Sequence, residues 1–334
     1  MKYIVVVLSL LFSLLGYGQE LDFYPISKGE LITHTYYKLS YLEEHEQPEW
    51  VAYYLSPEML HKVYDRKDAF GSDTSVSTGS ATYEDYKAAP GFDAGHLLPC
   101  RQMQFDCEAM AETFYMSNMS PQVSSFNRNK WAFLEKLERN MAWRNNGIYV
   151  VTGPVLSDID TAIGISTKIS VPKFYYKVFL SYHEENMKAI AFLLPNRKDP
   201  ISLEDYVVSI DFLEAFTGID FFPALEDSLE NSLEKESVKA LWSFKNPNDR
   251  YGYDEPAIKC SALTSSPTPN STQPLININT ASKNELESLP GIGSSKADAI
   301  ISMRPFASIE EITKVSGIGT ETLRKIEPLI TVEE

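Results

Sequence analysis

Hydrophobic residues in the first three quarters of the chain follow two different periods. Four segments rich in aromatic and β-branched residues end in turn residues, as β-strands do: Trp50–Leu55, Gly147–Val151, Phe174–Tyr182 and Lys188–Leu194. An amphipathic helix is predicted over Asn127–Met141, where these apolar residues recur at spacings of three and four: Trp131, Leu134, Leu137 and Met141. Together these elements predict an α+β body with a central antiparallel sheet flanked by helices.

The apolar pattern lapses over residues 246–274, where Pro, Ser, Thr and Asn predominate. Such a segment buries too little apolar surface to pack, so we expect a flexible linker there. The linker separates a body over residues 19–245 from a C-terminal module over residues 275–334.

The C-terminal module contains an internal repeat. Pro290-Gly291-Ile292-Gly293 recurs 26 residues later as Ser316-Gly317-Ile318-Gly319, and each copy lies between two helical patterns. The repeat predicts two helix-hairpin-helix units in a small all-α domain.

Capping signals and apolar positions extend this prediction. Ser282 with Glu285, and Ser308 with Glu311, have the spacing of capping boxes that begin helices. The predicted core of the module consists of Leu286, Leu289, Ile300, Ile301, Ile312, Val315, Leu323 and Ile326.

The first eighteen residues have the pattern of a signal peptide. Lys2 precedes an apolar run of twelve residues, Ile4–Leu15, and small residues stand three and one positions before Gln19. Because a membrane-spanning helix needs about 20 residues, we expect cleavage after residue 18 rather than an uncleaved anchor. The mature protein is then secreted or periplasmic and has no membrane partner.

Three cysteines remain in the mature chain: Cys100, Cys107 and Cys260. Export permits disulfides, and Cys100 and Cys107 are close enough in sequence to pair. Their odd number and the lack of a zinc-binding spacing nevertheless favour ordinary buried thiols.

Composition and charge limit the classes of protein that fit. The chain has 334 residues, 43% of them hydrophobic, which suffices for two packed domains and excludes a disordered or collagenous chain. It carries 30 Lys and Arg against 46 Asp and Glu, a formal net charge of −16. This charge disfavours general attraction to nucleic acid or an anionic membrane, so any polyanion must be bound at a local site.

Candidate chemistry is concentrated between residues 92 and 135. Two amides, two carboxylates and one imidazole occur around turn-prone residues and along one helix: Asp93, His96, Asn118, Asn127 and Glu135. Asn127 and Glu135 lie eight residues apart, about two helical turns, so both face about the same side. Such groups suit a hard cation and a base that activates water. The other histidines lack such neighbours and are expected at the surface: His34, His45, His61 and His183.

The same segment resembles the DNA/RNA non-specific endonuclease family, the ββα-metal nucleases that include endonuclease G. The resemblance is carried by Asp93-Ala94-Gly95-His96-Leu97-Leu98-Pro99, by Ser117-Asn118-Met119-Ser120-Pro121-Gln122, and by Asn127 with Trp131 and Leu134-Glu135. Upstream, Trp50-Val51-Ala52-Tyr53 and Arg66 with Phe70 are similar to the family's first strand and its arginine-containing loop. The resemblance covers most of the body and implies the ββα-metal fold.

The resemblance also implies an activity and roles for individual residues. It implies a metal-dependent endonuclease that cleaves DNA and RNA with little sequence preference and leaves 5′-phosphate products. His96 would be the general base and Asn127 a direct ligand of Mg²⁺, or alternatively Mn²⁺, while Glu135 would hold the metal's waters. Asn118 would position the hairpin that carries the histidine, and Arg66 would stabilise transition-state charge. The resemblance leaves open whether the protein forms a homodimer.

One position departs from the family pattern. Ala94 stands where the family usually has arginine, and the missing cation would weaken phosphate binding unless Arg101, Arg128 or Lys130 replaces it. The leading hypothesis is an active endonuclease, and the alternative is a catalytically impaired DNA-binding or DNA-uptake protein. A secreted structural protein would have to explain two unrelated nucleic-acid motifs on one chain.

The C-terminal repeat resembles the paired helix-hairpin-helix module of bacterial competence DNA receptors. In such turns, backbone N–H groups at a helix N-terminus can bind a DNA phosphate without reading sequence, which here implicates Gly291, Gly293, Gly317 and Gly319. From residue 275 onward, however, six basic residues stand against nine acidic ones, and strong DNA binding usually needs the opposite sign. Non-specific duplex binding is the hypothesis, and a module for protein contact or stability is the alternative.

Overall fold

The structure, a computed structural model, describes most of the chain: residues 23–182, 187–245, 259–260, 276–287, 289, 292–315, 317–319, 322–323, 326 and 329–332. Contacts divide the chain into two compact units, residues 1–264 and 265–334. The predicted signal peptide lies outside the described residues, as does all but residues 259–260 of the predicted linker. Within the described ranges, no helix is both long and apolar enough to cross a membrane.

The elements follow one another along the chain as follows. The strands are β1 Glu30–Thr33, β2 Lys38–Leu42, β3 Gln47–Leu55, β4 Phe92–His96, β5 Met119–Val123, β6 Ile148–Pro154, β7 Ile159–Ile163, β8 Ile169–Pro172, β9 Phe174–Ser181, β10 Lys188–Pro195, β11 Val207–Val208, β12 Ile276–Asn277 and β13 Ile330–Thr331. The α-helices are α1 Tyr83–Lys87, α2 Cys107–Glu112, α3 Ala132–Arg144, α4 Ile210–Thr217, α5 Asp227–Glu234, α6 Lys283–Glu287 and α7 Ser294–Met303. Short 3-10 helices span Glu43–His45, Glu58–Leu60, Cys100–Met103, Met116–Asn118, Leu203–Tyr206, Lys239–Leu241 and Ile309–Lys314.

The first unit is built on a seven-stranded sheet in the order β1-β2-β3-β6-β9-β10-β11. Neighbouring strands are antiparallel throughout. The four strands predicted from sequence are β3, β6, β9 and β10, and they lie side by side in the middle of this sheet. The predicted α+β class with a central antiparallel sheet is confirmed.

Each face of the sheet is covered by a different set of elements, because alternate residues of a strand point to opposite faces. On one face, Tyr53 and Phe179 pack with residues of α3 such as Leu134. On the other face, Ala52 and Val178 pack with residues from α4 and its surroundings. The apolar helix face predicted from sequence is therefore buried against the first sheet face.

The helix predicted over Asn127–Met141 has two parts. The segment Phe126–Trp131 is π-helical, and α3 continues it from Ala132 to Arg144. Single π-turns inserted in α-helices are frequent at functional sites, and this one carries Asn127. The hydrophobic period did not reveal the wider turn, because the apolar residues that define the period begin at Trp131, where the π-helical segment ends.

The expectation of three ordinary thiols is wrong. Cys107 and Cys260 form a disulfide across 153 residues of sequence, while Cys100 is a buried free thiol. Cys260 is buried and lies inside the predicted linker, so the disulfide attaches this part of the segment to the first unit. Both the partner and the long separation differ from the Cys100–Cys107 pairing that proximity suggested.

The second unit packs short helices around a small core. It contains α6, α7 and the 3-10 helix Ile309–Lys314, with a parallel pairing of β12 and β13 at its ends. Predicted core residues Leu286, Leu289, Ile300, Ile312, Val315 and Ile326 are buried, and Leu323 packs partly against them. Ile301 is 37% exposed, so its assignment to the core is wrong. It follows Ile300 directly, and adjacent helical residues point about 100° apart.

One of the two predicted capping boxes is formed. The Glu285 carboxylate accepts hydrogen bonds from the backbone N–H and hydroxyl of Ser282 at the start of α6. At the second position, the Glu311 carboxylate instead accepts from the N–H of Ala307, at 2.8 Å. The following turn is a 3-10 helix, whose tighter winding changes which N–H the side chain reaches.

Candidate active site

A two-stranded hairpin of β4 and β5 presents the candidate histidine. His96, the last residue of β4, pairs with Met119, and Ala94 pairs with Pro121. At Gly95, an added Cβ would lie 2.2 Å from Oε1 of Gln122. A larger residue at this position would therefore have to displace the buried Gln122 side chain.

Asn118 fixes the chain that leaves the hairpin. Its Oδ1 accepts from the N–H of Leu98 at 2.9 Å, and its Nδ2 donates to the carbonyls of Leu98 and Thr113 at 3.0 and 2.8 Å. Its backbone carbonyl accepts from the N–H of Leu97 at 3.0 Å. The side chain is fully buried, so these contacts hold the backbone at Leu97 and Leu98, directly after His96, and Asn118 does not line the cavity described below.

The His96 ring is held in aromatic surroundings. It packs edge-on against Phe114 with the ring centres 4.9 Å apart, and Phe70 lies 5.9 Å away. Its Nε2 is buried and has no hydrogen-bond partner among the described residues. Burial, helped by the charge of Arg66, lowers the pKa of His96 to about 3. The imidazole is therefore neutral near pH 7, which is the form that accepts a proton.

Asn127 is oriented by the carboxylate of Asp93. Its Nδ2 donates to Oδ2 of Asp93 at 3.0 Å, which leaves the amide oxygen Oδ1 for other partners. Arg128 donates to both oxygens of Asp93, at 2.9 and 2.7 Å, and Ser124 adds a bond of 2.8 Å. Burial opposes ionisation of Asp93, but these hydrogen bonds outweigh it and keep its pKa below the usual range. Trp131 ties the helix to the hairpin by donating to the carbonyl of His96 at 3.1 Å.

Glu135 lies on α3, two turns after Asn127. Burial raises the pKa of its carboxyl group to about 7, with Lys177 opposing the shift and Glu138 adding to it. A bound cation would relieve this penalty, because an opposite charge favours the ionised form.

These side chains meet in one cavity of about 580 Å³. It is lined by Arg66, His96, Asn127 and Glu135 among the predicted site residues. The residues around them are Asp68, Phe70, Tyr83, Tyr86, Lys87, Ala89, Pro90, Phe92, Asp93, Ala94, Pro99, Cys100, Arg101, Arg128 and Ala132.

A hard divalent cation fits the donor set of this cavity. The amide oxygen of Asn127 and the carboxylate of Glu135 are the oxygen ligands that Mg²⁺ prefers. The unpaired Nε2 of His96 supplies a proton acceptor in the same space. The cavity thus combines the three groups that metal-assisted hydrolysis needs.

The cavity contains arginine side chains although Ala94 stands where the family usually has arginine. Arg66 is 53% exposed, pairs with Asp68 at 2.6 Å, and lies over the Phe114 ring at 5.2 Å. Arg101 and Arg128 also line the cavity beside Ala94. Of the three predicted replacements, Lys130 instead donates its Nζ to the carbonyl of Ile201.

A buried polar network under the cavity was not predicted. Lys177 of β9 and Glu138 of α3 form an ion pair of 2.8 Å, and both side chains are fully buried. Tyr53 and Gln102 donate to Oε1 of Glu138 at 2.8 and 3.0 Å. Lys177 also donates to the carbonyl of Leu97, next to His96, at 3.3 Å. The available signal was that Lys177 is the only charged residue in its predicted strand.

Among the remaining histidines, the surface expectation fails for His34. Its side chain is 5% exposed, and its Nε2 lies 2.9 Å from Oδ2 of Asp73. His183 lies outside the described residues.

The glycine turns of the second unit are placed as follows. Gly293 is the residue before α7, and Gly319 accepts the N–H of Leu323 at 3.0 Å. An added Cβ at either position would meet nothing within 4 Å, whereas Gly317 has a φ of +83° that favours glycine. Gly291 lies outside the described residues.

Comparison with known proteins identifies relatives of both units. A family model described as DNA/RNA non-specific endonuclease matches residues 22–228, and one described as helix-hairpin-helix motif matches residues 271–331. The mouse mitochondrial nuclease EXOG is 32% identical over 65% of this chain. Nuclease C1 of Cunninghamella echinulata is 32% identical over 61% of this chain and 87% of its own length, and a nuclease of Nostoc sp. is 31% identical over 62% and 78%.

A solved structure shares the fold of the first unit. A chain in the crystal structure of the EndoG/EndoGI complex matches with a TM-score of 0.57 and 27% identity, over 63% of this chain and 92% of that one. The match to mouse EXOG spans 64% of that protein's length, a little under two thirds. The endonuclease match covers more than half of the present chain. The chain therefore belongs to the DNA/RNA non-specific endonuclease family and carries a helix-hairpin-helix motif after it.

Proposed function

We propose that this protein is an exported, divalent-metal-dependent endonuclease that hydrolyses phosphodiester bonds in DNA and RNA. The observation that carries the proposal is the single cavity in which the neutral His96, Asn127, Glu135 and Arg66 meet. The family relatives named as nucleases support the same reaction class.

His96 supplies the base of the reaction. Its buried, unpaired Nε2 accepts a proton from a water molecule as the water oxygen attacks phosphorus. The bond from phosphorus to the 3′-oxygen breaks, and that oxygen takes up a proton from solvent. The products are a 5′-phosphate and a 3′-hydroxyl.

Asn127 and Glu135 would hold the metal ion, Mg²⁺ or alternatively Mn²⁺. The amide oxygen of Asn127 would bind it directly, because Asp93 holds the amide nitrogen. Glu135 would hold waters of the ion, which Mg²⁺ retains readily. When bound, the ion supplies positive charge to the phosphate and to the leaving oxygen.

Arg66 would stabilise the negative charge that develops on the phosphate oxygens. Its guanidinium lines the cavity, and such a planar group matches two phosphate oxygens. Arg101 and Arg128 line the cavity near Ala94 and would partly replace the absent family arginine. Because all these groups address phosphate rather than base edges, cleavage would show little sequence preference.

The proposal of export has independent support in the disulfide between Cys107 and Cys260. Such bonds persist in oxidising compartments and are rare in the cytosol. The signal-peptide pattern over residues 1–18 and this disulfide both favour a secreted or periplasmic protein, and after signal cleavage we expect no membrane partner.

The experiment that tests the activity is digestion of circular duplex DNA, linear duplex DNA and RNA by the purified mature protein. With Mg²⁺ or Mn²⁺, we expect all three to be degraded, circular DNA included because no free end is required. EDTA is expected to abolish cleavage and added Mg²⁺ to restore it. Cleavage that persists in EDTA would contradict the metal-dependent mechanism, and retardation of intact DNA would favour the alternative of an impaired DNA-binding protein.

We further propose that the second unit binds duplex DNA through its glycine turns. Gly293 is the residue before α7, and backbone N–H groups at a helix N-terminus can bind a phosphate. The excess of acidic residues from residue 275 onward predicts modest affinity, which falls with added salt. DNA bound to a unit on the same chain as the nuclease domain would have a raised local concentration for cleavage.

Placing a negative charge at both glycine turns tests this role. We expect the double variant Gly293→Glu/Gly319→Glu to lose at least tenfold in duplex-DNA affinity, measured by fluorescence anisotropy at low salt. Folding should be retained, because an added Cβ has free space at both positions.

The matched control is the double variant Ile301→Glu/Met303→Glu, which adds the same two negative charges at exposed positions in the last turn of α7. Equal loss of affinity in the control would assign the effect to net charge and contradict binding at the turns.

A further inference from the structure

A cluster of carboxylates lies on the sheet face opposite α3. Asp211 and Glu214 come from α4, and Glu234 is the last residue of α5. Each offers one oxygen atom, and these atoms all lie within 4.8 Å of one another. The two α4 residues are three positions apart, so both side chains project from one face of the helix.

One member of this cluster is buried without a partner. Glu234 is 5% exposed, and its Oε1 is fully buried and accepts no hydrogen bond from the described residues. Burial and the neighbouring carboxylates of Asp211, Glu214, Asp220 and Glu230 raise the pKa of Glu234 to about 8. An unsatisfied buried carboxylate is costly, and a cation between the three groups would satisfy it.

The geometry fits a calcium-like ion. Ca²⁺ binds oxygen at about 2.3–2.6 Å, so two of its ligands lie at most about 5 Å apart. The three oxygens meet this limit. Glu214 is already oriented, because its Oε1 accepts the N–H of Phe221 at 2.9 Å from the loop between the helices. The three carboxylates range from exposed Asp211 to buried Glu234, so an ion can enter the site from solvent on the Asp211 side.

We propose that Asp211, Glu214 and Glu234 bind a hard divalent cation of the Ca²⁺ type that joins α4 to α5. This site is separate from the cavity of His96 and requires none of its chemistry. Its role is to stabilise the fold, with exposed Asp211 and solvent completing the coordination.

Thermal unfolding of the full chain in Ca²⁺ and in EDTA tests the site. To remove binding at the cavity, both measurements use the Asn127→Ala background. At a hundredfold excess of Ca²⁺ over its Kd, we expect the midpoint to rise by about 5–10 °C. Mg²⁺ is expected to give a smaller rise, because it requires shorter bonds and a stricter octahedral geometry.

Two variants of the cluster test whether its carboxylates bind the ion. Glu234→Gln should raise the midpoint in EDTA at neutral pH, because folding no longer has to bury a carboxyl group that must take up a proton, and it should abolish the Ca²⁺-dependent rise. Asp211→Asn, at an exposed position, should reduce that rise without affecting the fold. The matched control Glu236→Gln lies two residues beyond Glu234 and is exposed, and it should keep the full rise.

Isothermal titration with Ca²⁺ in the same background provides a second readout. One binding event that disappears in Glu234→Gln supports the site. A midpoint that is the same in Ca²⁺ and EDTA, or a rise that persists unchanged in both cluster variants, overturns it. Loss of nuclease activity would leave this result unaffected, so the two proposals fail separately.

Discussion

Replacing His96 by alanine is expected to slow cleavage of circular DNA by about a thousandfold, the usual contribution of a general base. The neutral imidazole is the proton acceptor in the cavity with a buried, unpaired nitrogen. Its removal breaks no side-chain hydrogen bond within the described residues, so the variant should remain folded and should still bind DNA. The measurement is the first-order rate of supercoiled plasmid nicking at saturating Mg²⁺.

The control for this prediction is His45→Ala. His45 pairs with Ser170 at 2.9 Å and does not line the cavity, so its loss should leave the nicking rate within a few-fold of wild type. A folded His96→Ala protein that nicks plasmid within tenfold of the wild-type rate would exclude the histidine from the chemistry.

The candidate site was largely accessible from sequence because its parts lie close together along the chain. His96 ends one strand of a hairpin and Asn127 and Glu135 follow on one helical segment, so local structure brings them together. The motif spacing also marked Asn118, whose side chain hydrogen-bonds the backbone of Leu98 two residues after the histidine. What periodicity could not supply was the π-turn at Asn127, since the apolar residues that define the period begin only at Trp131, where that segment ends.

Contacts between distant segments could not be predicted in the same way. Lys177 and Glu138 meet only because β9 lies beside β6 in the sheet and α3 crosses that face. The pairing of Cys107 with Cys260 likewise depends on where the chain runs after the sheet is complete. Such pairings follow from three-dimensional topology, and sequence spacing carries no signal for them.

Residues close together in sequence form the lining of the cavity, whereas contacts between distant segments form the buried network that supports it. The residues that we propose act on phosphate and water lie on segments that the family motifs mark, whereas the buried network of Lys177 and Glu138 includes a strand far along the chain. Lys177 connects the two, because it donates to Leu97 directly beside the histidine and pairs with Glu138 one turn from Glu135. The position of His96 therefore depends on the sheet beneath it.

Lys177→Met is accordingly expected to lower the free energy of unfolding by about 3–5 kcal/mol. Methionine has a similar volume but leaves the buried Glu138 carboxylate without its cation, while Tyr53 and Gln102 still donate to it. Urea denaturation of the full chain followed by tryptophan fluorescence measures this loss. Plasmid nicking should also slow, because Leu97 loses a hydrogen bond next to His96.

The double variant Lys177→Met/Glu138→Gln separates charge from packing. Glutamine keeps an oxygen for the Tyr53 hydroxyl, and neither buried charge remains, so we expect the double variant to be more stable than Lys177→Met alone. A thermodynamic cycle with Glu138→Gln should give a coupling of several kcal/mol. Additive losses would mean that the two charges act independently, and the sheet would then support His96 through apolar packing alone.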